Sequence, residues 1–225
     1  RVDENGRAYK GSQHYIQHYV NTAPEILHHM ICASSSDLAA HDPDITWVSP
    51  LQSKSYLEYR DRDFLKAVGL ESRVSELVEF WPNRGPVWDA LAVTKSRAPG
   101  GSPGVILVEA KSYPKEVYGT GTAASEASRR TIEAALDRTA AWIGIARSAN
   151  WTGSLYQSAN RLAHLYFLRE ILGVPAWLIN VCFVDDPHVR TTGAAWRIAT
   201  DQIKDDLGLV GVKLPYYSDI FLMAR

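Results

Sequence analysis

The chain has 225 residues, 46% hydrophobic and 22% charged, with a formal net charge of −1 at pH 7. Those proportions suit a packed core and exclude a disordered polar chain or one coated in basic residues. No apolar run nears the about 20 residues a membrane helix needs and no secretory signal is read, so a cytoplasmic protein with two plain thiols, Cys32 and Cys182, is expected, with no membrane partner.

In chain order, a helix is expected over residues 12–31, with Ile16, Tyr19 and Val20 on one face. Thr22-Ala23-Pro24-Glu25 restarts it as a capping box with Pro in the first turn. The adjacent His28 and His29 point to different faces and read as surface or core-edge residues rather than ligands. Residues 34–44 are polar and read as loop; 45–48 form a short strand stopped at Ser49-Pro50. Leu57, Phe64, Leu65 and Val68 predict a helix over 55–68, on which Asp61 falls inside the apolar stripe and Glu58 at its edge. A carboxylate there needs a partner, either a neighbouring arginine such as Arg60 or Arg62, or a site that it supports.

Strands over 74–81, 87–96 and 105–113, joined by the 82–86 turn and the Gly/Pro-rich 97–104 loop, give an antiparallel meander. Residues 114–122 are irregular, and their glycines lack the following Gly-Lys-Ser/Thr of a phosphate loop. A long helix over 123–147 buries Ile132, Leu136, Ile143 and Ala146; another runs over 154–172 and stops at Gly173-Val174-Pro175. The continuously apolar 176–184 reads as a central strand, 194–207 as helix, and 210–214 carries weak strand signals. The sum is a single α/β domain, a sandwich with a mixed sheet flanked by helices. It comprises an N-terminal helical extension (1–54), a core (55–184) and a C-terminal helix and tail (185–225).

The chemistry gathers where two neighbouring strands end. Asp89 lies near the start of one, and Glu109 and Lys111, two residues apart and so on one face, close the next. Charges ending a buried strand must pair with each other, a metal or a substrate. Two carboxylates at one edge form a hard oxygen site suited to Mg²⁺, and a lysine beside them can orient a water. On the helix from 154, Gln157, Asn160, Arg161 and His164 make one polar line on an otherwise apolar cylinder, so they face either this site or a buried polar network. Basic residues also concentrate here: nine Lys/Arg against six Asp/Glu over 84–147, compared with four against six over 56–79.

Asp89, then Glu109-Ala110-Lys111, then Gln157 with Arg161 on a later helix, resembles the PD-(D/E)XK nuclease superfamily over about residues 55–184. The chain departs from that pattern with Trp88 where Pro is usual and with the long helix over 123–147. The resemblance implies a restriction-endonuclease-like three-layer sandwich. It also implies a divalent metal, Mg²⁺ with Mn²⁺ able to substitute, held by Asp89, Glu109 and the backbone carbonyl of Ala110. Lys111 would position the attacking water, with Gln157 as accessory and Asp61, Glu58 and Arg161 in support. The expected function is hydrolysis of nucleic-acid phosphodiesters, DNA first, with Lys95, Arg97, Lys115, Arg129 and Arg130 as the nucleic-acid-binding flank and a homodimer compatible with cutting two strands. The alternatives are a nucleic-acid-binding module on the same fold without catalysis, and a metal-assisted hydrolase of small phosphoesters.

Overall fold

Continuous apolar runs dictate the centre of the molecule. In the computed structural model, which describes residues 2–41, 43–96, 100 and 102–225, Gly104–Lys111 (β3) and Ala176–Val184 (β4) pair in parallel, buried along nearly their whole length. Parallel strands covered on both faces take such sequences. Outward from β3 lie Ala90–Ser96 (β2) and Pro43–Ser49 (β1), both antiparallel; outward from β4 lies Tyr217–Met223 (β5), parallel. The result is one five-stranded mixed sheet in the order β1-β2-β3-β4-β5.

Side-chain alternation sorts the core into two clusters, one on each face. Ile106, Val108 and Ala110 pack with Ile179, Val181 and Phe183 beneath Gly11–Thr22 (α1) and Pro24–Ser34 (α2). The opposite face, with Leu91, Val105, Leu107 and Leu178, meets Asp61–Ala67 (α4), Val74–Phe80 (α5), Glu126–Ile143 (α6) and Tyr156–Tyr166 (α7). Ser36–His41 (α3) lies between α2 and β1, and Gly193–Leu207 (α8) packs on β4 and β5. Helices therefore cover both faces of the sheet. Glu109 and Lys111 share the face of Leu107, so β3 aims them at α7.

Capping fixes the long helices. The Ser125 side chain accepts the Ser128 amide at the start of α6, and Gly144, at φ 83°, accepts the left-handed turn that ends it. Thr192 and Gly208 serve α8 the same way.

Several expectations are corrected. Residues 74–80 are helix α5, not strand; Val74, Leu77 and Trp81 stand at helical spacing, with Leu77 and Phe80 buried and Val78 63% exposed. The antiparallel meander is therefore β1-β2-β3, its first strand drawn from the segment expected to be an extension. Helix α4 starts only at Asp61, and Leu57 is 56% exposed rather than part of a buried stripe. The loop over 34–44 contains α3, and the tail strand lies at 217–223 rather than 210–214. After α7 the chain widens into a π-turn over Phe167–Ile171. Among the described residues no helix is long and apolar enough to cross a membrane.

Candidate active site

The β2–β3 register sets the site. Ala90 pairs with Val108, so Asp89, one step before β2, arrives opposite the end of β3, where its Oδ2 accepts the Ala110 amide at 2.7 Å. The N–H and C=O of one strand residue point to the same neighbouring strand. The Ala110 carbonyl therefore faces the same gap, beyond the start of β2, as Asp89.

Glu109 occupies the next position and spends each oxygen on a cation. Oε1 accepts Lys111 Nζ at 2.5 Å and Oε2 accepts Arg161 Nε at 2.7 Å. Arg161 comes from α7 and is itself fixed three further ways. Its Nη1 donates to Asn160 Oδ1 (2.9 Å), its Nη2 donates to the Val87 carbonyl (3.0 Å), and its guanidinium lies over the Trp88 ring at 5.6 Å. Trp88, fully buried, thus gives this strand entry a platform for Arg161. A planar fork reaching a carboxylate, a carbonyl and an aromatic face at once suits arginine and not lysine.

The two carboxylates ionise differently. Burial opposes the charge on Glu109, but Arg161 and Lys111 outweigh it and hold its carboxyl below the usual range. Asp89 goes the other way: burial first, then the Glu109 charge, push it up to about 8 against the smaller opposing pull of Lys111 and the Ala110 amide. A third acid borders the pair. Glu58 accepts Gln13 Nε2 at 3.0 Å; burial chiefly raises its pKa, and the field of Glu109 adds to the rise.

Of the two supporting acids expected, Glu58 is the one whose charge reaches Asp89 and Glu109. Asp61 does something else. Its carboxylate accepts the amides of Arg84 (3.0 Å) and Gly85 (2.8 Å), clamping the turn that leads into Trp88 and Asp89. A Cβ on Gly85 would stand 3.0 Å from Asp61 Oδ1 and 3.2 Å from His164 Nε2, so a larger residue there would press on both side chains. His164 is buried against Phe80, Trp81 and Trp88, bonds through Nδ1 to the Asn160 carbonyl, and is driven by burial down to about 4.

Gln157, half-buried one turn before Arg161, lines with Glu109 and Lys111 a narrow cleft of about 30 Å³ between α7 and α8. The polar line on α7 therefore meets the site through Gln157 and Arg161, while His164 turns to the aromatic cluster. Of the basic flank, Lys115 is exposed just beyond β3, and Arg129 and Arg130 are exposed on the first turns of α6. Lys95 pairs in register with Asp44 at the far end of β2, six residues or about 20 Å from Asp89, and is not brought to it. Arg97 lies outside the described residues.

Sequence reasoning missed the floor of the cleft. Across β3, β4 and β5 the register aligns Glu109, Asn180 and Asp219. Asn180 Nδ2 donates to Tyr217 Oη (3.0 Å) and Asp219 Oδ1 (2.8 Å), and Asp219 pairs with Lys204 at 2.5 Å. The signal is Asn180 itself, a half-buried amide within an otherwise apolar, buried strand.

Among the described residues no three His, Cys, Asp or Glu side chains are grouped to hold a metal. The oxygen donors at hand are the Asp89 and Glu109 carboxylates and the Ala110 carbonyl. Carboxylate and carbonyl oxygens are the donor type that Mg²⁺ takes, and here both Glu109 oxygens are engaged by Lys111 and Arg161. Comparison with protein-family models, with curated proteins and with solved structures returns no match.

Proposed function

We propose that this chain is a metal-dependent nuclease of the PD-(D/E)XK kind, hydrolysing nucleic-acid phosphodiesters, with DNA the first substrate to test. One observation carries the reading: Asp89, Glu109 and Lys111 converge at the end of one hairpin, against an arginine and a glutamine from α7. The mixed sheet, with β2–β3 antiparallel, β3–β4 parallel and helices on both faces, supports a restriction-endonuclease-like arrangement.

In this reading Asp89, Glu109 and the Ala110 carbonyl hold a divalent cation, Mg²⁺ or Mn²⁺. When bound, the cation supplies Lewis acidity at the phosphate and lowers the pKa of a coordinated water. Lys111, already fixed on Glu109, holds the attacking water and offsets charge developing on the phosphoryl oxygens. Arg161 locks the Glu109 carboxylate in one orientation, so that little reorganisation is left for the reaction. Gln157 stands at the mouth of the cleft to contact water or phosphate.

The test is cleavage of plasmid, linear duplex, single-stranded DNA and RNA with Mg²⁺ or Mn²⁺. Lys111→Ala and Asp89→Ala are each expected to lower the rate at least about a hundredfold, with far-UV circular dichroism unchanged. Full activity in both variants contradicts the assignment. A second reading, a nucleic-acid-binding protein without catalysis, draws on the closed Lys111–Glu109–Arg161 ion-pair set, which satisfies Glu109 with no metal. It predicts binding with no cleavage of any substrate in the panel.

A further inference from the structure

A separate hollow, about 130 Å³ in volume, lies on the polar side of α1 and shares no lining residue with the cleft at Glu109. Successive turns of α1 present His14, Gln17, His18, Asn21 and Thr22 to it. Arg7, Gln52 and Tyr56 close it from two other segments. All eight lining residues are polar, Arg7 is a permanent cation, and none of the eight is acidic.

Three segments are tied together to form it. Gln17, 2% exposed, accepts the Ala8 amide through Oε1 (2.8 Å) and donates to the Gly6 carbonyl through Nε2 (3.1 Å), fastening the 6–8 loop to α1. Asn21 fastens the 50–56 turn: its Nδ2 donates to the Pro50 carbonyl (2.8 Å) and its Oδ1 accepts the Gln52 amide (2.8 Å). The loop and the turn also meet, since a Cβ on Gly6 would lie 2.1 Å from the Ser55 carbonyl oxygen. Ser55 and Tyr56 hold left-handed φ values of 52° and 54°, which residues with a Cβ keep only where their surroundings impose them. A hollow set in this way binds with less ordering cost.

The groups left over define the ligand. Among the described residues the Arg7 guanidinium makes no ion pair, and the nearby Asp3 carboxylate is turned to the amides of Asn5 and Arg7. A guanidinium beside the Gln52 amide and the Tyr56 hydroxyl suits an oxyanion. His14 adds a group of the opposite kind. Its Nδ1 lies 2.7 Å from the Ala8 carbonyl, which can only accept, so Nδ1 carries the proton and the neutral ring keeps a lone pair at Nε2. A phosphate group loses its second proton at a pH of about 6, close to where imidazole does, so one proton can be shared between a phosphate oxygen and Nε2. Sulfate has no such proton to share. Histidines one turn apart could instead chelate a cation, but His18 is engaged with Thr22 Oγ1 (Nδ1 2.9 Å, Nε2 3.3 Å) and Arg7 opposes a positive ion. The volume exceeds the about 10–15 Å³ that one water needs and falls short of the about 300–1,000 Å³ of drug-sized pockets, which leaves room for one tetrahedral anion. From these observations we infer that the hollow binds a phosphate group, as inorganic phosphate or as the end of a phosphate monoester. The inference stands apart from the nuclease reading.

The experiment is calorimetric titration of the full chain at pH 7, free of metal, with inorganic phosphate, sulfate, thymidine 5′-monophosphate and thymidine. Phosphate is expected to bind saturably and about tenfold or more tightly than sulfate, and the monophosphate more tightly than thymidine. Tighter binding of the monophosphate than of inorganic phosphate assigns the site to a phosphorylated end, and the reverse order assigns it to the free anion; either order supports the inference. Arg7→Gln removes the cation and Gln52→Glu brings in a carboxylate. Both side chains are exposed, so far-UV circular dichroism should be unchanged while each variant weakens phosphate binding about tenfold or more. Absence of saturable phosphate binding, including the case in which Ni²⁺ binds instead and is lost in His14→Gln, overturns the inference. So does equal affinity for phosphate and sulfate, or unchanged phosphate affinity in both Arg7→Gln and Gln52→Glu.

Discussion

At the scale of single residues, the site turns on how Glu109 is compensated. A carboxylate buried under α7 survives because Lys111 and Arg161 each take one oxygen. Removing one partner of a buried pair leaves an uncompensated charge, which costs far more than the pair contributes. Arg161→Ala is therefore expected to destabilise the fold by about 3–5 kcal/mol in urea unfolding at pH 7. A loss below about 1 kcal/mol, the worth of an exposed pair, would contradict the buried geometry. Asp89, Glu109 and Lys111 were legible in the sequence because strand alternation puts Glu109 and Lys111 on one face and hairpin pairing places Asp89 beside them. The different duties of Asp61 and Glu58 were not legible. They depend on where α4 begins, and the chain holds Asp61 at φ 50°, outside the helical geometry assumed from its spacing.

The element that joins chemistry to core is α7. One edge carries Gln157 and Arg161 into the cleft, and the next turn carries His164 into a box of Phe80, Trp81 and Trp88. His164 is neutral in the fold above about pH 4, whereas an exposed imidazole takes up its proton near 6.5. The unfolded chain thus binds the extra proton first. The contribution of His164 is complete above about pH 6.5 and is lost as pH falls toward 4, by up to about 3 kcal/mol. Urea midpoints of the wild type should fall between pH 7 and 5 relative to His164→Leu, and parallel pH profiles of the two proteins would contradict this. The polar line of α7 could be read from its i, i+3, i+4, i+7 spacing, but its division between cleft and aromatic box could not. That division depends on α5, which was read as a strand although Val74, Leu77 and Val78 are helically spaced. A short apolar run of seven residues carries little periodicity, and its class was settled by packing of Leu77 and Phe80 against α7 and the residues after it.

Taken whole, the sheet is finished by segments far apart in sequence: β1 closes the meander side and β5 the parallel side. The central strands and the long helices α6 and α8 could be recognised from continuous apolar runs and caps. The edge strands were harder because half their face is exposed and their pairing is non-local, so β1 was legible only as a short strand and β5 was misplaced. Asp89 and Glu109, from adjacent strands, meet only in the finished fold, so the proposed metal site would couple binding to folding. Asp89, raised to about 8, carries a proton at neutral pH that a cation must displace. Affinity should accordingly climb with pH toward 8, by at most about tenfold per unit. Calorimetric titration with Mn²⁺ at pH 6, 7 and 8 tests the central claim directly. It should show Mn²⁺ bound by the wild type, increasingly tightly toward pH 8, and lost in Asp89→Asn, a variant that keeps the shape of the protonated side chain. Absence of Mn²⁺ binding by the wild type at pH 8, or equal binding by Asp89→Asn, would contradict the account.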